Sequence, residues 1–142
     1  FNAALARRVA DASWNQPLDG EVWMLDGTHA IFGPEPWSDA LARRLDALDI
    51  HPTGPMWGRG DLRSSGVVAA LEREAAQAHA DLAAGLEQAG LSQERRALRL
   101  RVRELRHAWT DSSVLELGFS LDSGAFATGM LRELLDWHAG AG

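Results

Sequence analysis

The sequence predicts an α+β fold, and three observations lead there. Segments whose apolar residues recur every three or four positions follow or precede shorter ones that alternate apolar and polar, with clusters of Gly and Pro between them. At 142 residues, 46 % of them apolar, the chain can bury a core of one domain without disulfide staples. The last stretch joins both periodicities. Leu115, Leu117, Phe119 and Leu121 share one side of an extended segment, the chain turns through Gly124, and Phe126, Met130, Leu131 and Leu134 share one side of a helix. The chain is therefore expected to be folded to its end, with at most Gly140 to Gly142 as a tail.

Each element follows in order. Phe1 to Ala12 predicts a helix with Leu5 and Val9 on one side and Arg7 and Arg8 largely off it. "DGEVWMLDGTHAIFG" predicts short strands around Asp26-Gly27, a dipeptide that favours a type I′ hairpin turn. Ser38 is placed to cap a helix carrying Leu41, Leu45 and Leu48. "HPTGPMWGRGD" predicts a loop from its Pro and Gly content, and Trp57 within it reads either as a plane for stacking a base or as a pin to the core. Val67 to Ala89 predicts one long packing helix, with Leu71, Ala75, Ala78, Leu82 and Leu86 on a narrow stripe and Gly90 as its stop. Beyond it, Leu98, Leu100 and Val102 alternate with Arg99, Arg101 and Arg103, which predicts three guanidinium groups on one face of a strand.

Composition removes several classes of function. Without Cys there is no disulfide framework, thiolate metal site or Cys nucleophile, and without Lys there is neither a Schiff base nor a P-loop. His29, His51, His79, His107 and His138 are scattered with no His-Glu-x-x-His pair, and no Gly-x-Ser-x-Gly elbow occurs. No apolar run approaches the roughly 20 residues that span a bilayer, and no signal-peptide core is present, so the cytoplasm is the expected compartment. A net charge of −6 speaks against nucleic acid as a partner until its distribution is considered. Arg95, Arg96, Arg99, Arg101, Arg103 and Arg106 lie in one short stretch, while Glu72, Glu74, Asp81 and Glu87 lie on the long helix, so a polarised molecule is expected. Arg clamps phosphates bidentately, which makes Arg95, Arg96, Arg99 and Arg101 candidates for holding an RNA backbone; a solvated edge strand guarded by charge is the other reading.

Four segments, in order, carry a resemblance to a known family. They are "FNAALARRV" at Phe1 to Val9, "TGPMWGRG" at Thr53 to Gly60, "ERRALRL" at Glu94 to Leu100, and a C-terminal block formed by Phe119, Leu121, Gly124, Phe126, Ala127, Thr128, Leu131, Arg132, Glu133 and Leu134. Together they resemble the tRNA pseudouridine synthase D (TruD) family across the whole chain. Asp122 stands where the family usually has Pro, and Ala125 where it has Ser, both in the turn before the last helix.

The resemblance implies a partial pseudouridine-synthase catalytic fold, an antiparallel sheet with helices, carrying the TruD-type α/β insertion domain. Residues 1–12 would be a helix of the catalytic domain, 13–94 the insertion domain, and 95–142 the return into the catalytic domain. The implied activity is isomerisation of uridine to pseudouridine in the D-arm region of tRNA, with position thirteen the usual target and with no cofactor or metal. The family's catalytic Asp sits in a Gly-x-Lys-Asp stretch upstream of the Phe-Asn helix, followed by Asn-Tyr-Phe-Gly. This sequence has no Lys and no Tyr, so neither motif lies within it, and the fragment alone is expected to be inactive. Phe126 would lie near the uridine, Arg132 and Glu133 would belong to the surrounding shell, and Asn2 would contribute if the Phe-Asn motif packs there. On helical spacing alone, Phe126 reads as core and the adjacent Arg132 and Glu133 as solvated surface. Two alternatives keep the fold without the chemistry: a non-catalytic RNA-binding module, and a scaffold fragment. A sheet lacking its upstream strands would leave an exposed edge prone to self-association.

Overall fold

The computed structural model describes residues 1–134. The expectation that the chain is folded to its end, and that Gly140 to Gly142 form a tail, lies outside the described residues. The chain divides into two compact units, the first Phe1–Arg99 and the second beginning at Leu100.

In the first unit the order is α1 (Asn2–Ala10), β1 (Trp23–Leu25), β2 (Ile31–Phe32), α2 (Asp39–Asp46), β3 (Ile50–Met56), α3 (Gly66–Gln77), α4 (Ala80–Gln88) and β4 (Glu94–Ala97). The four strands form one antiparallel sheet in the order β2-β1-β3-β4. Ser38 caps α2 as its sequence predicts, accepting from the Leu41 N–H at 3.4 Å. Leu41 and Leu45 pack with Trp23 and Ile50 as the core, flanked by Leu25 and Phe32. Leu48 does not extend that stripe: it takes φ +58, closes the helix end through Asp49 N–H to Arg44 O, and stays exposed.

The inward face of α1 differs from the expected one. Val9 is 55 % exposed, whereas Arg8 is buried beside Ala4 one turn earlier. The Arg8 guanidinium survives burial because it donates to Glu21 Oε2 at 2.9 Å, to Ser13 O at 2.7 Å and to Gln16 O at 3.0 Å. It thereby staples the chain that leaves α1.

The Asp26-Gly27 hairpin forms, but not as a type I′ turn. That turn needs positive φ at both central residues, and of the two only Gly27 has it. A longer loop closes through Leu25 N–H to Ala30 O and Thr28 N–H to Leu25 O. "HPTGPM" is a central strand, not a loop, and every residue from Ile50 to Pro55 is buried. Proline loses only its donor, and the Pro52 carbonyl still accepts from the Leu98 N–H at 2.8 Å.

The predicted long helix is two helices, broken at Ala78–His79. Val68, Ala69 and Glu72 bury one side of α3, while α4 buries no side chain and leaves Leu82 68 % exposed. Polar ties hold α4 instead: Trp57 Nε1 donates to Glu87 Oε1 at 2.9 Å, and Arg59 donates to the carbonyls of Glu87 and Gln88. Gly90, at φ +82, ends α4 as expected, with Leu91 N–H bonded back to Leu86 O. Before α3, Gly20 approaches so closely that a Cβ there would overlap Ser65 O; Ser65 N–H donates to Gly20 O and Val68 N–H to Asp19 O.

The second unit holds β5 (Arg103–Asp111), β6 (Val114–Ser120) and α5 (Ala127–Leu134). The two strands pair antiparallel through Trp109↔Leu115 and His107↔Leu117, with an irregularity at Glu104, which takes φ +53. The alternation of Leu115, Leu117 and Phe119 is that of β6, where Leu117 and Phe119 are half-buried. The basic strand does not form where expected: residues 98–102 lie outside any strand, and of Arg99, Arg101 and Arg103 only Arg103 enters β5. The chain then turns through Gly124 at φ +85, with Ala125 N–H donating to Asp122 O. On α5 Met130 is buried, but Phe126 precedes the helix at 69 % exposure and Leu134 is exposed, so the expected continuous apolar face is shortened.

Candidate functional site

The C-terminal strand–turn–helix places three of the predicted residues in the second unit. Phe126 sits where the turn enters α5 and holds the first turn by accepting Gly129 N–H at its carbonyl, so its ring stands out on a fixed backbone. Arg132 and Glu133 are exposed on the last turn of α5 and, as neighbours in sequence, point in different directions. Asp122, at the position where the family has Pro, faces Arg103 of β5 at 3.6 Å. At that distance and exposure the pair adds little stability but favours one turn geometry. Asn2 belongs to the first unit, exposed at the start of α1, where it lines a cavity of about 320 Å³ with Phe1, Pro55, Trp57 and Leu82.

The basic stretch separates into two kinds of Arg. Arg95 is not a surface cation. Its side chain is 5 % exposed; Nη2 donates to Glu72 Oε1 at 2.6 Å and to Thr53 O at 2.9 Å, Nη1 to Glu72 Oε2 at 3.1 Å, and Nε to Thr53 Oγ1 at 2.7 Å. Ser64 Oγ donates to the same carboxylate, and Thr53 Oγ1 donates on to Val22 O. Arg99 also turns inward, with Nε on His51 Nδ1 at 2.8 Å and Nη2 on Leu45 O and Ile50 O. Burial lowers the Arg99 pKa, opposed by Asp26 and Asp46. Against the expectation that Arg95 and Arg99 hold RNA, all three guanidinium nitrogens of Arg95 and two of those of Arg99 are bonded inside the first unit. Arg96 is exposed over the Phe1 ring, 5.6 Å from its centroid, and Arg101 is half-buried.

Two of the acidic residues expected apart from the basic stretch have local partners. Glu72 is buried against Arg95, and Glu87 accepts from Trp57, so that Trp ties its loop to α4 and not to the core. Sequence reasoning missed Arg8–Glu21 and His51–Asp26 entirely. Glu72 did leave a signal, since it follows Val68 by four and Ala69 by three on what is the buried side of α3. Glu21 is pushed upward by burial, against the pull of Arg8, and its Oε1 has no partner. Among the described residues, no three His, Asp or Glu side chains converge as metal ligands. No described helix is long and apolar enough to cross a membrane.

The first unit is thus an antiparallel α+β unit, and the second a hairpin whose later strand turns into a helix. A crystal structure described as a tRNA pseudouridine synthase D from Methanosarcina mazei matches with a TM-score of 0.67 over 94 % of this chain and 35 % of that one, at 21 % identity, a likeness that establishes the fold. The model of the family "tRNA pseudouridine synthase D (TruD)" matches residues 1–134, and the chain belongs to that family. Relatives named tRNA pseudouridine synthase D include one from Xanthomonas campestris strain B100, 55 % identical over 138 residues, and one from Methylococcus capsulatus, 44 % identical over 137. Each alignment covers 96 % of this chain, but the chain spans only 38 % and 39 % of those two relatives.

Proposed function

We propose that this chain is the C-terminal part of an enzyme that isomerises uridine to pseudouridine in the D-arm region of tRNA, at position thirteen. The observation that carries the reading is the family match over residues 1–134, which includes the block from Phe119 to Leu134 that folds as strand, turn and helix. The reaction breaks the C1′–N1 bond, turns the uracil and closes C1′–C5, with the C5 proton lost and N1 left protonated. It requires the target base out of its stack. In this reading the exposed Phe126 ring supports the extruded uracil, and Arg132 and Glu133 contribute to the shell around it. Arg96 and Arg101 hold phosphates of the tRNA. The nucleophilic Asp belongs to the Gly-x-Lys-Asp segment of the longer protein, so this fragment alone does not turn over. Residues 1–12 and 95–142 serve the catalytic fold, residues 13–94 are the insertion, and the whole acts in the cytoplasm without a cofactor.

The test pairs binding with turnover. This chain should bind tRNA with an affinity that falls as salt rises, yet release no tritium from tRNA labelled at uridine C5. A longer protein carrying Gly-x-Lys-Asp and Asn-Tyr-Phe-Gly should release it. Binding without turnover by the longer protein would leave an RNA-binding module, and neither would leave a scaffold.

A further inference from the structure

The end of the first unit is held by a chain of hydrogen bonds that only a neutral histidine can complete. Arg99 Nε donates to His51 Nδ1 at 2.8 Å, so that nitrogen must carry a lone pair. The ring proton then resides on Nε2, which lies 2.9 Å from Asp26 Oδ1 and donates to it. His51 is 5 % exposed in β3, so no bulk water stands in for either partner. The charged groups facing this centre come from every element around it. They are Asp26 after β1 and Arg99 just after β4, both bonded to the ring, and Asp46 on α2, whose charge acts on Arg99. Arg99 is also the last residue of the first unit.

We propose that Asp26, His51 and Arg99 form a proton-sensitive clasp, which ties down the end of the first unit while His51 is neutral and loosens when the ring takes a second proton. A proton arriving from solvent at Nδ1 uses the lone pair that accepted the Arg99 Nε–H. Two donors then face each other, and an imidazolium stands against a guanidinium in a nearly dry site. Asp26 still holds Nε2–H, so the ring stays while Arg99 gives way. The bonds from Arg99 Nη2 to Leu45 O and Ile50 O remain as the residual hold. Loosening therefore reaches the bend at residues 98–102 first and spares the sheet.

The test uses the full chain labelled with ¹⁵N. Near pH 8, long-range spectra should show His51 with a bare Nδ1 and a protonated Nε2, and Arg99 Nε–H should exchange slowly. As the pH is lowered, protonation of Nδ1 should be matched by about tenfold faster Arg99 Nε–H exchange after correction for intrinsic rates, the factor expected for one lost charge-assisted hydrogen bond. Amides of β3 should keep their protection. His51→Asn, which retains an acceptor and a donor but cannot titrate, should remove the pH dependence. A proton on Nδ1 near pH 8 would overturn the proposal. So would Arg99 exchange that ignores the His51 titration, or loosening that occurs only with loss of protection throughout β3.

Discussion

Arg95 and Glu72 meet with side chains 5 % and 2 % exposed, and what each does for the fold depends on the other. Removing one partner leaves a dry charge, which costs about 3–5 kcal/mol, whereas replacing both with apolar groups of similar volume is far milder. Arg95→Met should therefore lower the urea midpoint severely, and Arg95→Met with Glu72→Met should recover much of the loss. Equal losses in the single and double variants would contradict the pairing. Arg96 lies next to Arg95 in sequence but is exposed. If it meets a phosphate, Arg96→Ala should reduce the slope of log affinity against log salt by about 1. Tight salt dependence that survives Arg96→Ala unaltered would remove Arg96 from the RNA surface.

Glu21 gives a residue-scale prediction in pH. Burial raises its folded pKa above the ordinary 4.5, so the native state keeps the proton to higher pH than the unfolded chain does. Its contribution to stability is therefore greatest in acid and is lost as pH rises through the folded value. Relative to the wild type, Glu21→Gln should gain stability as pH rises from about 4.5, in urea unfolding followed across a pH series. A difference that moves the other way would mean that Arg8 outweighs burial at this carboxylate.

At the scale of elements, α4 is the part held least by apolar burial. Trp57→Phe keeps the ring but removes the donor to Glu87, at a cost of about 1 kcal/mol. Hydrogen exchange should accelerate across residues 80–88 while β1 and β3 keep their protection. Unchanged exchange in α4 would show that the Arg59 bonds to its last carbonyls suffice. The same element shows what the sequence could tell. The cap at Ser38, the stop at Gly90 and the alternation of β6 were legible because each is a local rule carried by one or two residues. The break before α4 was not, because Ala78 and His79 carry no breaker chemistry and the helix turns toward partners that are distant in sequence. The strand at Ile50–Met56 was hidden by Pro52 and Pro55, since the rule against Pro in central strands considers donors, and here the ladder uses a Pro carbonyl. The inward turn of Arg8, Arg95 and Arg99 escaped because periodicity reads apolar residues as buried and charged ones as wet, while a buried ion pair is settled by two residues far apart along the chain. At the candidate site, the strand, turn and final helix were legible as a motif, but the exposure of Phe126 was not, because spacing placed it on the apolar face of α5.

At the scale of the whole molecule, the described part of the second unit is a two-stranded hairpin and one helix, a sheet too small to be stable on its strands alone. Trp109 is 66 % exposed and Leu105 51 %. Self-association through this hairpin follows if its edges meet in solution, and sedimentation should then show a concentration-dependent species that Leu105→Ser with Trp109→Ser reduces. A species unaffected by both changes would place the association elsewhere.

The proposed role of this chain in a tRNA uridine isomerase is best checked by mapping pseudouridine nucleotide by nucleotide in tRNA treated with a longer protein that carries the Gly-x-Lys-Asp segment, with Phe126 intact and with Phe126→Ala. Pseudouridine is expected at position thirteen in the first case and its marked loss in the second, with tRNA binding largely kept. No pseudouridine in either case, or full modification at that position without the Phe126 ring, would contradict it.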